Sequence, residues 1–204
     1  MLVQLENIGK KFGREWIFKN INHSFSASDK VVILGGNGSG KSTLLKIISG
    51  FLSPSDGKIS FSRNNEAIDI NDVYKHVSYA APYVDVYDHY TLQELINFYQ
   101  KLKPLKTINT SFEEEFQLEG VKDKLIKNYS SGMRQRVKLG LSILSNCPLL
   151  LLDEPTSNLD DKGKQWYASM IEKYAVEKLI FVASNSQQEE YFFCQQRIEV
   201  EKFK

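Results

Sequence analysis

Residues 35–42 read Gly-Gly-Asn-Gly-Ser-Gly-Lys-Ser and fit Gly-x4-Gly-Lys-Ser, the spacing of a loop that wraps phosphate. Gly35, Gly36, Gly38 and Gly40 let the backbone curl, with Asn37 and Ser39 between them, so that its N–H groups face an anion without side-chain clashes. Lys41 supplies a positive charge and Ser42 a hydroxyl suited to magnesium. The helix that follows, with Thr43 in its first turn, aims its positive N-terminal end at the same anion. Leu44, Leu45, Ile48 and Phe51 are expected to form that helix's apolar face. A plain glycine-rich turn has no need of a Lys-Ser pair at this spacing, so the residues point to a bound nucleoside triphosphate.

Residues 149–155, Leu-Leu-Leu-Leu-Asp-Glu-Pro, place two acids at the carboxyl end of a buried strand, where open α/β sheets bind ligands. Two acids there are costly unless they face a cation. Asp153 suits Mg2+, directly or through water, and Glu154 suits proton removal from a water attacking a γ-phosphate. Residues 129–133, Tyr-Ser-Ser-Gly-Met, put Ser130, Ser131 and Gly132 at a second helix start, a second anion-ready terminus. By itself that segment is also an ordinary helix cap.

These groups need a scaffold, and the chain offers one. Its 204 residues, 42% apolar, suffice for one good core but are short for several independent domains. Strand character at residues 3–8, 16–25, 31–34, 57–61 and 77–79 surrounds the phosphate loop. Thr91 and Glu94 form a capping box that opens a helix, and residues 91–145 read as mostly helical, with a stripe of Met133, Val137, Leu141 and Leu144. Continuous apolar runs at 149–152 and 179–183 predict parallel strands buried on both faces, separated by a helix over 161–174. Residues 197–201 alternate like an edge strand. The 26 basic and 25 acidic residues form no block of one sign, so no nucleic-acid partner is expected. No apolar run reaches membrane-spanning length, no signal sequence is evident, and the expected setting is the cytoplasm. Cys147 and Cys194 have no metal-ligand spacing and are expected to pack as thiols.

Taken in order, the loop at 35–43, the Tyr-Ser-Ser-Gly-Met segment, the acidic strand end and Ser157-Asn-Leu-Asp160 resemble the motifs of ATP-binding cassette (ABC) ATPases, the nucleotide-binding subunits of ABC transporters. The resemblance covers essentially the whole chain. It implies a P-loop NTPase core of α/β type with a mixed sheet (about residues 1–81 and 146–204) and an inserted helical subdomain (about 82–145). It also implies a head-to-tail dimer, with a second copy or a related ABC ATPase chain, that closes on ATP between the phosphate loop of one subunit and Ser130, Ser131 and Gly132 of the other. Asp160 would bridge the sites, Phe12 would stack on adenine, and a separate transmembrane permease would hold the dimer at the cytoplasmic face of the membrane.

Two positions depart from the family pattern. Pro82 stands where the family has a glutamine whose amide reaches magnesium and the attacking water, and proline has no side-chain donor or acceptor. Asn185 stands at the place of a catalytic histidine, able to donate a hydrogen bond but not to carry charge near neutral pH. Tyr83, Asp85 and Ser184 are the nearby polar candidates for a substitute contact. The expectation is slow hydrolysis coupled to transport. An ATP-clamped switch with little turnover, and a soluble ABC ATPase outside transport, stand as alternatives. Tyr83, Tyr87 and Tyr90 are candidates for the permease-facing surface.

Overall fold

The computed structural model describes every residue, Met1–Lys204, and the chain divides into two compact units. The first comprises Met1–Tyr79, Pro148–Glu154 and Glu177–Lys204. It holds two sheets. In one, β1 (Leu2–Phe12) lies between antiparallel β2 (Glu15–Phe25) and β4 (Asp56–Arg63), and β4 pairs with β5 (Glu66–Ile68). Asn64 and Asn65, both at positive φ, make the two-residue turn joining β4 to β5. The sequence reading passed over this short strand.

The other sheet has the order β6 (Val77–Ala80), β7 (Leu149–Asp153), β8 (Leu179–Ser184), β3 (Lys30–Leu34), β9 (Gln196–Glu199). The β7–β8, β8–β3 and β3–β9 ladders are parallel. Every residue of β7 and β8 is buried, which explains their unbroken apolar runs: parallel strands covered on both faces leave no polar side. α1 (Lys41–Ile48) contributes Leu44, Leu45, Ile47 and Ile48, all at 0% exposure, to a core shared with Val3, Phe18, Phe25, Ile33 and Phe181. Each such side chain stabilises the fold by roughly 2 kcal/mol through burial.

Two expectations fail locally here. Phe51 is no part of the apolar face of α1: the helix ends at Ile48, Gly50 at φ 76° turns the chain away, and Phe51 is 82% exposed. The last strand stops at Glu199, because Val200 turns into the core as the first residue of a 3-10 turn, Val200–Phe203.

The second unit comprises Ala80–Cys147 and Pro155–Val176. Its helices are α2 (Leu92–Leu102), α3 (Phe112–Glu115), α4 (Ser131–Leu144) and α5 (Asp161–Tyr174). The expected capping box is present: Thr91 N donates to Glu94 Oε2 at 2.8 Å while Glu94 N donates to Thr91 Oγ1 at 3.3 Å. Residues 103–130 are mainly turns, less helical than expected. Lys103 is extended before Pro104, and Gln117 and Gly120 take positive φ, conformations that end helices. α4 carries Gly140 where a Cβ would lie 2.3 Å from the Phe116 ring, and Trp166 of α5 donates to Glu115 O at 2.7 Å. A short helix, α6 (Gln188–Tyr191), belongs to the first unit.

Candidate functional site

The parallel ladders bring the carboxyl ends of β3, β7 and β8 to one edge of the sheet, and the sequence-predicted groups of the first unit gather there. Beyond Leu34 the chain enters the glycine loop, which ends at Gly40, the N-cap of α1. Gly40 has φ 109°, and a Cβ there would lie 2.5 Å from Ile17 Cγ2, so only glycine fits. No side chain caps α1, which leaves the N–H groups of Lys41, Ser42 and Thr43 directed at a cavity of about 190 Å³. That cavity is lined by Ile17, the segment 37–43 and Glu154; Gly35 and Gly36 lie just outside it. Ser39 Oγ is buried without a hydrogen-bond partner. Lys41, 5% exposed, reaches back across the loop and donates to Gly35 O at 2.9 Å, Gly36 O at 3.0 Å and Asn185 Oδ1.

Across the cavity, β7 delivers the acids. Asp153, 2% exposed, ends the strand. Glu154 takes φ 47°, a left-handed conformation that costs a residue with a Cβ about 1 kcal/mol or more, and its N–H donates to Ala183 O at 2.9 Å. That turn swings its carboxylate toward Asn185, which follows β8. Asn185 Nδ2 donates to Glu154 Oε1 at 2.8 Å and to Asn37 Oδ1 at 2.7 Å. Chemistry fixes the orientation of this amide: an ammonium only donates and a carboxylate only accepts, so Oδ1 must face Lys41 and Nδ2 must face Glu154. Asn185 thus joins loop lysine and acid in one circuit, the link the sequence left open. Ser184 is fully buried, and its Oγ accepts from Gln187 N at 3.2 Å.

The second unit holds the other predicted group. Ser130 is the N-cap of α4, its Oγ accepting from Met133 N at 3.2 Å. Ser130, Ser131, Gly132, Met133, Arg136, Asn158, Leu159 and Asp160 line a pocket of about 410 Å³. Asp160 caps α5, its Oδ1 accepting from Gly163 N at 2.8 Å, with Arg136 Nη2 3.5 Å away. Phe12 ends β1 half-exposed, with the Lys10 ammonium 5.3 Å above its ring, and does not line the cavity of the phosphate loop.

Pro82 and Asp85 lie exposed in this second unit, and the structure reveals a residue that the sequence reading missed beside them. Lys138 of α4, 8% exposed, donates to Ala81 O at 3.0 Å and Pro82 O at 3.5 Å and faces Asp85 at 3.8 Å. Burial pushes its pKa down, partly opposed by Asp85. The signal was a lysine next to Val137 on a helix face that should be apolar. Gln135, also missed, donates to Pro155 O at 2.8 Å. Tyr87 and Tyr90 cluster with Phe98 at 5.2 and 5.9 Å, and Tyr87 keeps 63% of its surface exposed.

The family model for ABC transporters matches residues 18–157. The chain is 35% identical over 185 residues to the probable iron export ATP-binding protein FetA of Escherichia coli (strain K12), covering 89% of this chain and 82% of that protein. It is 30% identical over 175 residues to the sulfate/thiosulfate import ATP-binding protein CysA of Pectobacterium atrosepticum, covering 81% of this chain and 52% of that protein. Among solved structures, an ABC transporter ATP-binding protein of Pyrococcus furiosus superposes with TM-score 0.80 at 21% identity, over 100% of this chain and 99% of that one. The dimeric cassette MJ0796 bound to ADP and Pi superposes with TM-score 0.76 at 22% identity, over 98% and 95%. No helix is long and apolar enough to cross a membrane.

Proposed function

The chain belongs to the ABC transporter family as one of its ATPases, and from that premise we propose that it drives a separate transmembrane permease by closing head-to-tail, as a pair of cassettes, on MgATP. The observation that carries this reading is the circuit Lys41–Asn185–Glu154 at the mouth of the phosphate loop. Lys41 and the uncapped N–H groups of α1 bind the β- and γ-phosphates. Glu154 takes a proton from the attacking water, and Asn185 holds the carboxylate toward it. Ser130, Ser131 and Gly132, with Asp160, act on the nucleotide of the partner cassette, and Phe12 meets the adenine.

Ser42 and Asp153 would hold Mg2+. The donor set fits, since Mg2+ takes one or two protein oxygens and completes its shell with water and phosphate. When bound, the ion neutralises charge shared by the β- and γ-phosphates.

Slow turnover is part of the proposal. Loss of one transition-state donor costs about 3 kcal/mol, and Pro82 offers none, while Asn185 replaces a chargeable ring with a neutral amide. The helical unit around residues 82–145 is assigned to permease coupling at the cytoplasmic face of the membrane, with Tyr83 and Tyr87 on the docking side. The relatives include an exporter and an importer, so they assign this chain no direction and no cargo. The test is steady-state ATPase activity against protein concentration, with Glu154→Gln as control. A rise steeper than linear that disappears in Glu154→Gln is expected. Clear MgATP binding with no turnover, even beside a permease, would establish the clamp instead of the pump.

A further inference from the structure

The parallel register of β3 with β9 sets Leu34 against Glu199. Two residues beyond each, Gly36 and Glu201 meet: Gly36 N donates to Glu201 Oε1 at 3.0 Å. The carbonyl of the same peptide, Gly35 O, accepts from Lys41 Nζ at 2.9 Å. One peptide plane is therefore gripped at its N–H end by a carboxylate and at its C=O end by an ammonium, each charge facing the complementary pole of the peptide dipole. We propose that Glu201 is a positioning residue of the phosphate loop, clamping the Gly35–Gly36 peptide from outside so that Lys41 is held for the nucleotide.

This peptide needs an external grip. Neither flanking residue has a Cβ, so rotation of the plane meets little steric resistance. Rotating it would carry Gly35 O away from Lys41 and leave a buried ammonium short of one acceptor. Glu201 is well placed to prevent that. Its neighbour Val200 is fully buried in the core, and Phe203 packs against the same core with its ring 6.4 Å from His23. The carboxylate lies flush against the glycine pair: a Cβ on Gly36 would come 3.4 Å from Glu201 Oε1, and one on Gly35 would come 3.8 Å from Glu201 Cγ. Glu201 does not line the cavity, so it acts through the loop and not on the ligand.

The inference rests on the nucleotide reading above, and calorimetric titration of the full chain with MgATP separates the two. Glu201→Ala is expected to weaken binding about three- to tenfold, the worth of one such hydrogen bond. Glu201→Gln retains an oxygen that accepts from Gly36 N and is expected to bind within about twofold of wild type. Thermal unfolding of the ligand-free variants is expected to match wild type, because Glu201 is exposed. Wild-type binding combined with an unaffected or tighter Glu201→Ala, or with Glu201→Gln as weak as Glu201→Ala, overturns the clamp alone. A wild-type chain that does not bind MgATP overturns the nucleotide reading and the clamp with it.

Discussion

Asn185 Nδ2 lies 2.8 Å from Glu154 Oε1, and the other end of the same amide accepts from Lys41. An uncharged amide in this place can hold the carboxylate by a hydrogen bond but cannot carry charge near neutral pH. Asn185→Ala is expected to lower kcat at least tenfold while changing KM less, since Glu154 loses its 2.8 Å partner whereas Lys41 keeps Gly35 O and Gly36 O as acceptors. Asn185→His is expected to raise kcat and to introduce a titration limb near pH 6–7 that wild type lacks. A pH-rate profile of both variants is the check, and a histidine variant no faster than wild type would mean that the asparagine does not limit the rate.

Gly40 is irreplaceable by a separate argument. Gly40→Ala combines a left-handed φ with a methyl group 2.5 Å from Ile17 Cγ2. The expected result is a loss of stability of about 1–3 kcal/mol and a loss of MgATP affinity greater than about tenfold, read by urea unfolding and by titration.

Asp160 stabilises the start of α5 as well as lining the second pocket. Asp160→Ala is expected to cost about 1 kcal/mol in unfolding free energy, chiefly through the 2.8 Å bond to Gly163 N. The Arg136 contact adds little, because Asp160 is 73% exposed. Asp160→Asn keeps the cap; if it restores stability but not ATPase activity, the carboxylate itself serves the paired cassette.

Lys138→Met removes the ammonium that holds the carbonyls of Ala81 and Pro82. Unfolding free energy is expected to fall by about 0.5–1.5 kcal/mol, the net worth of the lost hydrogen bond, because Ala81 O still accepts from Val84 N at 3.1 Å and Pro82 is exposed to water. Urea denaturation measures it, and no loss would show that water replaces the lysine.

His23, stacked on Phe25 at 5.4 Å, has its pKa pushed below the ordinary value by burial. Above the unfolded-chain value of about 6.5 the ring is neutral in both states and contributes no pH dependence. As pH falls below it, the unfolded chain takes the proton first, so stability declines toward the folded-state pKa. Burial shifts His76 in the same direction. His23→Phe is therefore expected to reduce, without abolishing, the drop in unfolding temperature between pH 7 and pH 5.

Local chemistry made much of this molecule legible. The phosphate loop, the Thr91–Glu94 capping box and the apolar runs of β7 and β8 depend on neighbours a few residues away, and the sequence spells out such neighbours. Phe51 was misread because helical spacing continues past a helix end that a positive-φ glycine decides. The β4–β5 hairpin was missed although its Asn-Asn turn was readable.

The amino-acid order by itself determined which groups exist: a lysine after four loop glycines, two acids after an apolar strand, a proline and an asparagine where the family differs. Only tertiary structure decided which of them meet. Glu154 reaches Asn185, 31 residues away, and Gly36 reaches Glu201, 165 residues away, because parallel strand register sets the ends of β3, β7, β8 and β9 side by side. Register arises from the burial of whole strands against one another, a cooperative property that no short stretch of sequence carries.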